Sequence, residues 1–301
     1  MTKNAGLPAT EETSPCFKGI DLWPASIIIE VMWEAQLAAV AAIKPALPAI
    51  EAAAVAGVLR LSAGGRLIYA GAGTSGRIGV QDGAELPPTF NWPHDRLVLL
   101  MAGGEAAFTR AVENAEDDLA AGEAAIAANA VCADDIVIGI AASGSTPYTL
   151  GCLRAANAAG ALTIAVANSA DGTILREALH PILVETGAEV IAGSTRMKAG
   201  TAQKVVLNLL SSLIMVRLGH VHDGLMVDMK ATNEKLRRRA ERMLRQITGV
   251  SLDAARQALA LSDGRVKTAV LVARGVAPTE AEALLARHGG SLRAAMAGMI
   301  P

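Results

Sequence analysis

Short apolar segments that end in glycine or serine alternate with helical segments along the first two thirds of this 301-residue chain. The segments RLIYAGAG (66–73), RLVLLMAGG (96–104) and DDIVIGIAAS (134–143) have the length and composition of buried strands. Two more, ALTIAVANS (161–169) and HPILVETG (180–187), follow. Buried strands that alternate with helices predict a parallel sheet covered on both faces, so the expected fold class is α/β, doubly wound.

Helices are predicted before, between and after these strands. The first segment is expected to break at Pro45 and Pro48, and the helix after the first strand is expected to stop at Pro87. Apart from the helix after the first strand, the predicted helical segments are 24–62, 108–129, 147–160 and 199–219.

The composition changes beyond about residue 222, where basic and helical segments take over. We therefore predict three parts: an N-terminal helical segment (1–55), an α/β domain (56–221) and a small C-terminal helical module (222–301). The basic run Arg237–Arg239 has acidic residues around it and no aromatic residue, so a solvated helix face is favoured over a contact with nucleic acid.

The overall charge and the cysteines exclude several classes of protein. A formal net charge of -2 gives no reason to expect nucleic acid or a membrane surface as a partner. The apolar run 205–219 is shorter than a bilayer span of about 20 residues. The polar N-terminus and the three scattered cysteines, Cys16, Cys132 and Cys152, favour a cytoplasmic protein without disulfides or a cysteine-ligated metal.

Three turns combine glycine with hydroxyl side chains: GAGTSG (71–76), AASGST (141–146) and AGSTRMKAG (192–200). The first backbone amides of a helix have no internal partner and bind anions, so these turns suit a phosphate ester or sugar hydroxyls. The first turn also matches the GxGxxG pattern of dinucleotide-binding proteins. That alternative is disfavoured because the next strand ends in AGG, without the acidic residue that binds ribose.

Longer motifs closely resemble the N-acetylmuramic acid 6-phosphate etherases, a family with a sugar isomerase (SIS) domain. The resemblance runs through residues 55–240. It implies an SIS-type fold, cleavage of the D-lactyl ether of N-acetylmuramic acid 6-phosphate in cell-wall recycling, no metal or organic cofactor, and a homodimer with sites near the subunit interface. The motifs are GAGTSGRIGVQDGAELPPTF (71–90), AGGEAAFTRAVENAEDD (102–118), GIAASGSTPY (139–148), GAEVIAGSTRMKAGTAQKVVLNLLSS (187–212) and LMVDMKATNEKL (225–236).

The same resemblance assigns the site residues. Glu85 and Glu116 stand at the positions of the catalytic glutamates, with Glu85 assigned as proton donor and Glu116 as base, although the two roles could be exchanged. Lys198 could instead cap a carbonyl or pair with Glu189, and Arg77 and Arg196 are assigned structural roles. The residues expected to bind substrate are Thr74, Ser75, Ser143, Ser145, Thr146, Ser194, Thr195 and Lys198.

Two stretches depart from the family pattern. Ser145 stands where the family often has arginine, and the segment 18–36 follows the usual opening only loosely. Two other functions fit the same serine-rich turns: a sugar-phosphate-binding regulator without catalysis, and an SIS-type isomerase that interconverts aldoses and ketoses. His220 and His222, near Asp223, form only a weak metal-binding pattern.

Overall fold

The computed structural model describes residues 8–110, 112–230 and 233–299. It forms two compact units, one of residues 1–83 and 95–211 and the other of residues 84–94 and 212–301. The first unit contains a five-stranded parallel sheet in the order β2-β1-β3-β4-β5, which confirms the α/β prediction. The strands are β1 (Leu67–Gly71), β2 (Leu97–Met101), β3 (Ile136–Ala141), β4 (Leu162–Ala167) and β5 (His180–Leu183).

Helices precede the sheet and connect its strands. The boundaries of the two units fall inside α3 and α7. The helices that lie wholly or partly in the first unit are α1 (Ala25–Ala41), α2 (Leu47–Ser62), α3 (Gly73–Phe90), α4 (Leu119–Ala128), α5 (Pro147–Ala158), α6 (Thr173–Glu177) and α7 (Lys198–Arg217).

The sheet is apolar throughout because both of its faces are covered. All residues of β1, β3 and β4 are buried. Ile68 and Val137 face one core, where they pack with Tyr148, Leu153 and other side chains of α4 and α5. Burial on both faces explains why these strands read as continuous apolar runs rather than as alternating patterns.

Two of the helix predictions are wrong. Helix α3 does not stop before the prolines but continues through Pro87 and Pro88 to Phe90. Both prolines lie in its last turn, where few helical hydrogen bonds remain to be lost. The predicted helix over 108–129 is confirmed only from Leu119, since Asn114 adopts a left-handed conformation (φ 60°) that a helix does not tolerate.

The second unit is helical and has its own apolar core. Val227, Ala240, Leu244, Val270 and Leu285 are among its buried residues. The short strands β6 (Val221–His222) and β7 (Leu225–Met226) form an antiparallel pair. The helices of this unit are α8 (Glu234–Thr248), α9 (Leu252–Leu261), α10 (Val266–Ala273), α11 (Pro278–Arg287) and α12 (Leu292–Ala297).

The basic run on α8 lies on a solvated helix face, as the sequence predicts. Arg237 and Arg238 are exposed, and both pair with Glu234 one turn earlier, at 3.3 and 3.0 Å. Exposed pairs at this spacing are common on solvated helices and contribute little to stability.

Within the part of the chain that the structure describes, two helical stretches are long and apolar enough to cross a membrane by length and composition, Ala25–Ser62 and Lys198–Arg217. Most of the apolar run 205–219 lies in the second stretch, which with its first residues included is 20 residues long. In its most apolar window 56% of the residues are buried inside the protein, which is typical of a core helix. In the first stretch the corresponding share is 11%. The first stretch thus presents an apolar surface that the chain itself leaves uncovered.

Asp135 ties the starts of β1 and β3 together. Its buried carboxylate accepts hydrogen bonds from the backbone amides of Arg66 (2.9 Å) and Cys132 (3.0 Å) and from the Arg66 guanidinium (2.6 Å). Burial by itself would raise the pKa of Asp135, but these hydrogen bonds outweigh burial and hold its pKa below the ordinary 3.8. The carboxylate therefore stabilises the fold in its ionised form.

Replacing Asp135 by asparagine is expected to lower the free energy of unfolding by about 2–3 kcal/mol, because hydrogen bonds to a buried charged group are lost. A lowered pKa makes this contribution fully present above pH 3.8, and it disappears as the pH falls through the lower pKa of the folded state. Denaturant unfolding of both proteins at pH 7 and near pH 2.5 measures the difference, which should shrink in acid. The exposed Asp171→Asn variant is the control.

Candidate active site

The strand order places two of the hydroxyl-bearing turns side by side. Strands β1 and β3 are neighbours, and the chain continues from β1 to β2 on one side of this pair and from β3 to β4 on the other side. Ligands bind at such a switch point, beyond the carboxyl ends of the strands. The turn from β1 into α3 and the turn from β3 into α5 both lie there.

The glycines of the first turn let α3 contact the sheet closely. A β-carbon on Gly71 would lie 2.9 Å from the Gly76 Cα atom, and one on Gly76 would lie 2.7 Å from the Gly71 carbonyl oxygen. Gly73 has a φ of 53° and begins the helix. The GxGxxG letters are therefore explained by packing and by the turn. They leave Thr74 and Ser75 at the helix N-terminus, among amides that are free to bind an anion.

The second turn places its hydroxyls at the start of α5. Gly144 has a φ of 72° and packs against Gly172, so a side chain has no room there. The backbone amide of Ser145 donates to the Ser143 hydroxyl at 3.2 Å. Pro147 occupies the first position of α5, where its missing N–H costs nothing. This side of the site therefore offers neutral donors but no positive charge.

The third turn contributes less than the sequence predicts. The buried Glu189 carboxylate accepts hydrogen bonds from the backbone amides of Lys198 and Ala199, each at 2.9 Å, and so occupies the N-terminus of α7. The Lys198 ammonium donates to the Ala188 carbonyl at 2.8 Å, which is the capping role left open above. Burial lowers the Lys198 pKa.

Glu116 lies on a single turn of 3-10 helix, Ala115–Asp117, and not on a long helix. The next residue, Asp118, caps α4 by accepting from the Ala121 amide at 2.8 Å. One carboxylate oxygen of Glu116 lies 3.9 Å from the point where a β-carbon on Gly73 would be. The carboxylate therefore faces the N-terminus of α3.

Residues of the three turns and the acidic segment around Glu116 surround a cavity of about 380 Å³, which we call the hydroxyl cavity. Two of the residues predicted to bind substrate, Ser194 and Lys198, do not line it. Its lining brings together six of the eight predicted residues and one of the two glutamates. The predicted residues present are Thr74, Ser75, Ser143, Ser145, Thr146, Thr195 and Glu116.

Glu85 does not line the hydroxyl cavity. It is exposed, and it follows Ser75 by ten residues on the same helix. A rise of 1.5 Å per residue puts the two Cα atoms about 15 Å apart along the axis of α3.

Two carboxylates of the lining are absent from the sequence-based assignment, Glu11 and Asp117. Asp117 follows Glu116 directly, and nothing in its own pattern distinguishes it from a solvated acid. Glu11 reaches the cavity because the Gly193 amide donates to the Thr10 carbonyl at 3.3 Å. A contact between residues so far apart in sequence leaves no local signal.

The histidines do not form a metal centre. Among the described residues no group of three or more His, Cys, Asp or Glu side chains could hold a metal ion. In the second unit His220 Nδ1 lies 2.5 Å from the Asp228 carboxylate, which also accepts from Lys267 at 2.6 Å. The imidazole packs edge-on against Phe90 and Trp92. His220 therefore serves packing in this unit.

Two family models match overlapping parts of this chain. Residues 51–157 match the family described as glucokinase regulatory protein N-terminal SIS domain, and residues 117–213 match the SIS domain family. Among solved structures, a phosphoheptose isomerase from Francisella tularensis is similar at 18% identity and a TM-score of 0.47, covering 64% of this chain and 100% of that chain.

Full-length relatives are much more similar. An N-acetylmuramic acid 6-phosphate etherase from Deinococcus radiodurans is 49% identical, and the match covers 94% of this chain and 93% of the relative. An enzyme of the same name from Streptomyces coelicolor is 47% identical over 97% of this chain and 94% of the relative.

Proposed function

Because the chain belongs to the family of N-acetylmuramic acid 6-phosphate etherases, we propose that the hydroxyl cavity is its active site and Glu116 its base. The protein is a carbon–oxygen lyase of cell-wall sugar recycling. It cleaves the D-lactyl ether of N-acetylmuramic acid 6-phosphate and yields N-acetylglucosamine 6-phosphate and D-lactate. The observation that carries the site proposal is a carboxylate facing a helix N-terminus within a cavity lined by serine and threonine hydroxyls.

The reaction needs a base and an acid. In the ring-opened sugar the aldehyde acidifies the proton on carbon 2, and Glu116 removes it. The electron pair forms the double bond between carbons 2 and 3, and the lactyl oxygen leaves carbon 3 and takes a proton from the acid. Water then adds its hydroxyl to carbon 3 while carbon 2 regains a proton. Carboxyl groups positioned at these atoms accelerate such transfers by about 10²–10⁴-fold each.

The phosphate group suits the two glycine turns. The first amides of α3 and the hydroxyls of Thr74, Ser75, Ser143, Ser145 and Thr146 offer many donors to a phosphate ester. Thr195, from the third turn, also lines the cavity and suits a sugar hydroxyl. Ser194 and Lys198 support the turn that carries Thr195.

Glu85 remains the proposed second carboxyl, supplied by a second copy of the chain. Glu85 is exposed and is not among the residues that line the hydroxyl cavity of its own chain, which supports this assignment. Helix α1 bears an uncovered apolar stripe at helical spacing, Ile29, Trp33, Leu37 and Val40, whose side chains are 44–65% exposed. Such a stripe on a chain of this family supports a homodimer.

The three cysteines support the cytoplasm as the compartment. Cys16, Cys132 and Cys152 are all free thiols, which a reducing compartment preserves.

Purified protein is expected to release D-lactate from N-acetylmuramic acid 6-phosphate, with one solvent deuterium appearing at carbon 2 of the sugar product in D₂O. A lactate dehydrogenase assay and mass spectrometry measure both. If the protein binds the sugar phosphate and releases no lactate, it is a regulator, as the match of residues 51–157 to a regulatory family would then suggest. Formation of a ketose instead would identify an isomerase.

A further inference from the structure

A second cavity, of about 250 Å³, adjoins the hydroxyl cavity. The two share Ala72, Gly73 and Glu116 in their linings. The remaining wall is mainly apolar, and we call this second space the side cavity. Its other lining residues are Arg77, Met101, Ala102, Ala107, Val112, Glu113, Asn114 and Ala115.

Arg77 is held rigidly at this cavity. Its Nε atom donates to the carbonyls of Ala107 (3.0 Å) and Phe108 (3.2 Å), and one terminal nitrogen donates to the Arg110 carbonyl (3.1 Å). A guanidinium has five N–H groups, so about three remain for a ligand. The three carbonyls fix the plane of the group, and a fork so oriented is suited to a carboxylate.

Charge distinguishes the two cavities. Among the described residues that line them, Arg77 is the only cation. The substrate carries two anionic groups, a phosphate on carbon 6 and a carboxylate on the lactyl ether at carbon 3. We have proposed that the phosphate lies at the glycine turns, where amides and hydroxyls can donate to it, and this leaves the lactyl carboxylate as the anion for Arg77.

Glu116 lies between the proposed positions of the phosphate and the lactyl carboxylate, because it lines both cavities. The base acts on carbon 2, next to the carbon that bears the ether. With the phosphate in the hydroxyl cavity and carbon 2 at Glu116, the adjoining side cavity is the space next to the base that is left for the group on carbon 3.

We propose that the side cavity binds the D-lactyl group, with its carboxylate on Arg77 and its methyl group on the apolar wall. This inference rests on the proposed function. It extends the structural role of Arg77 and makes this residue the one that distinguishes the substrate from the product, N-acetylglucosamine 6-phosphate, which lacks the lactyl group.

The test compares two ligands in a protein that does not turn them over. In the Glu116→Gln background, calorimetry measures the dissociation constants of N-acetylmuramic acid 6-phosphate and N-acetylglucosamine 6-phosphate, with and without Arg77→Met. The change is expected to weaken the first ligand by about tenfold to a hundredfold and to leave the second within about twofold. Arg176→Met is the matched control, since this exposed arginine also donates to a backbone carbonyl but lines neither cavity.

Other outcomes overturn the inference. An equal loss for both ligands means that Arg77 acts only by holding residues 107–110 in place, and no loss for either means that the side cavity is not used. Val112→Phe, which fills the cavity from an exposed position, gives a second measurement and should also weaken the lactyl ligand selectively. If wild-type protein releases D-lactate while these selectivities are absent, the subsite fails and the etherase function stands.

Discussion

Replacing Glu116 by glutamine is expected to reduce the rate of D-lactate release by about a hundredfold or more, because glutamine keeps the shape of the side chain but cannot accept the proton from carbon 2. The proposed site binds the phosphate through the turns of α3 and α5, which this change leaves intact, so the loss is expected in kcat rather than in KM. Initial rates over a range of substrate concentrations separate the two.

The control for this change is Glu123→Gln, an exposed glutamate on α4 outside both cavities. It should retain the wild-type rate, and both variants should melt within a few degrees of the wild type. A Glu116→Gln enzyme that kept more than a tenth of the wild-type kcat would remove Glu116 as the base. Asp117, its neighbour in the cavity lining, would then be the next carboxylate to test.

Combining two inactive variants in one dimer is expected to restore activity. Glu85→Gln and Glu116→Gln should each be nearly inactive alone. The two chains are co-expressed with different tags and the mixed dimer is isolated. One of its two sites then contains an intact Glu116 from one subunit and an intact Glu85 from the other, and the second site contains both glutamines. The mixed dimer should therefore have about half the wild-type activity per dimer, because the sites of a symmetric dimer are equivalent.

A reciprocal dimer tests the same arrangement with the opposite expected result. Wild-type chain paired with the Glu85→Gln/Glu116→Gln double variant should be nearly inactive, since each site then contains one damaged glutamate. If both glutamates came from the same chain, this dimer would keep about half the activity and the first mixed dimer would have none. A single subunit in sedimentation experiments would contradict the dimer itself.

Much of the α/β unit could be predicted from the sequence. The five strands, their parallel pairing and the two glycine turns follow from short apolar runs and from residues that local backbone geometry requires. The errors lie where local rules compete with tertiary contacts. Pro87 was expected to end α3, and the acidic run around Glu116 was expected to be helical, whereas Asn114 turns the chain there.

The structure brings most, but not all, of the predicted site residues together. Long motifs pointed to Thr74, Ser75, Ser143, Ser145, Thr146, Thr195 and Glu116, all of which line one cavity. Lys198 was expected to be the cation nearest the ligand, but it donates to a backbone carbonyl, while Arg77 lines the side cavity. Which of several cations faces a ligand depends on hydrogen bonds to distant backbone atoms, and spacing along the chain does not record them.

The sequence by itself determined the class of fold, the glycine turns and the family, because short apolar runs, glycine conformation and long motifs are local properties of the chain. Only the tertiary structure decided which carboxylates share a cavity. Glu11 and Glu116 meet there although they lie far apart in sequence, whereas Glu85 and Ser75, on one helix, are held apart by its rise. Proximity in space is set by how the elements pack, and a rigid helix separates residues that sequence places close together.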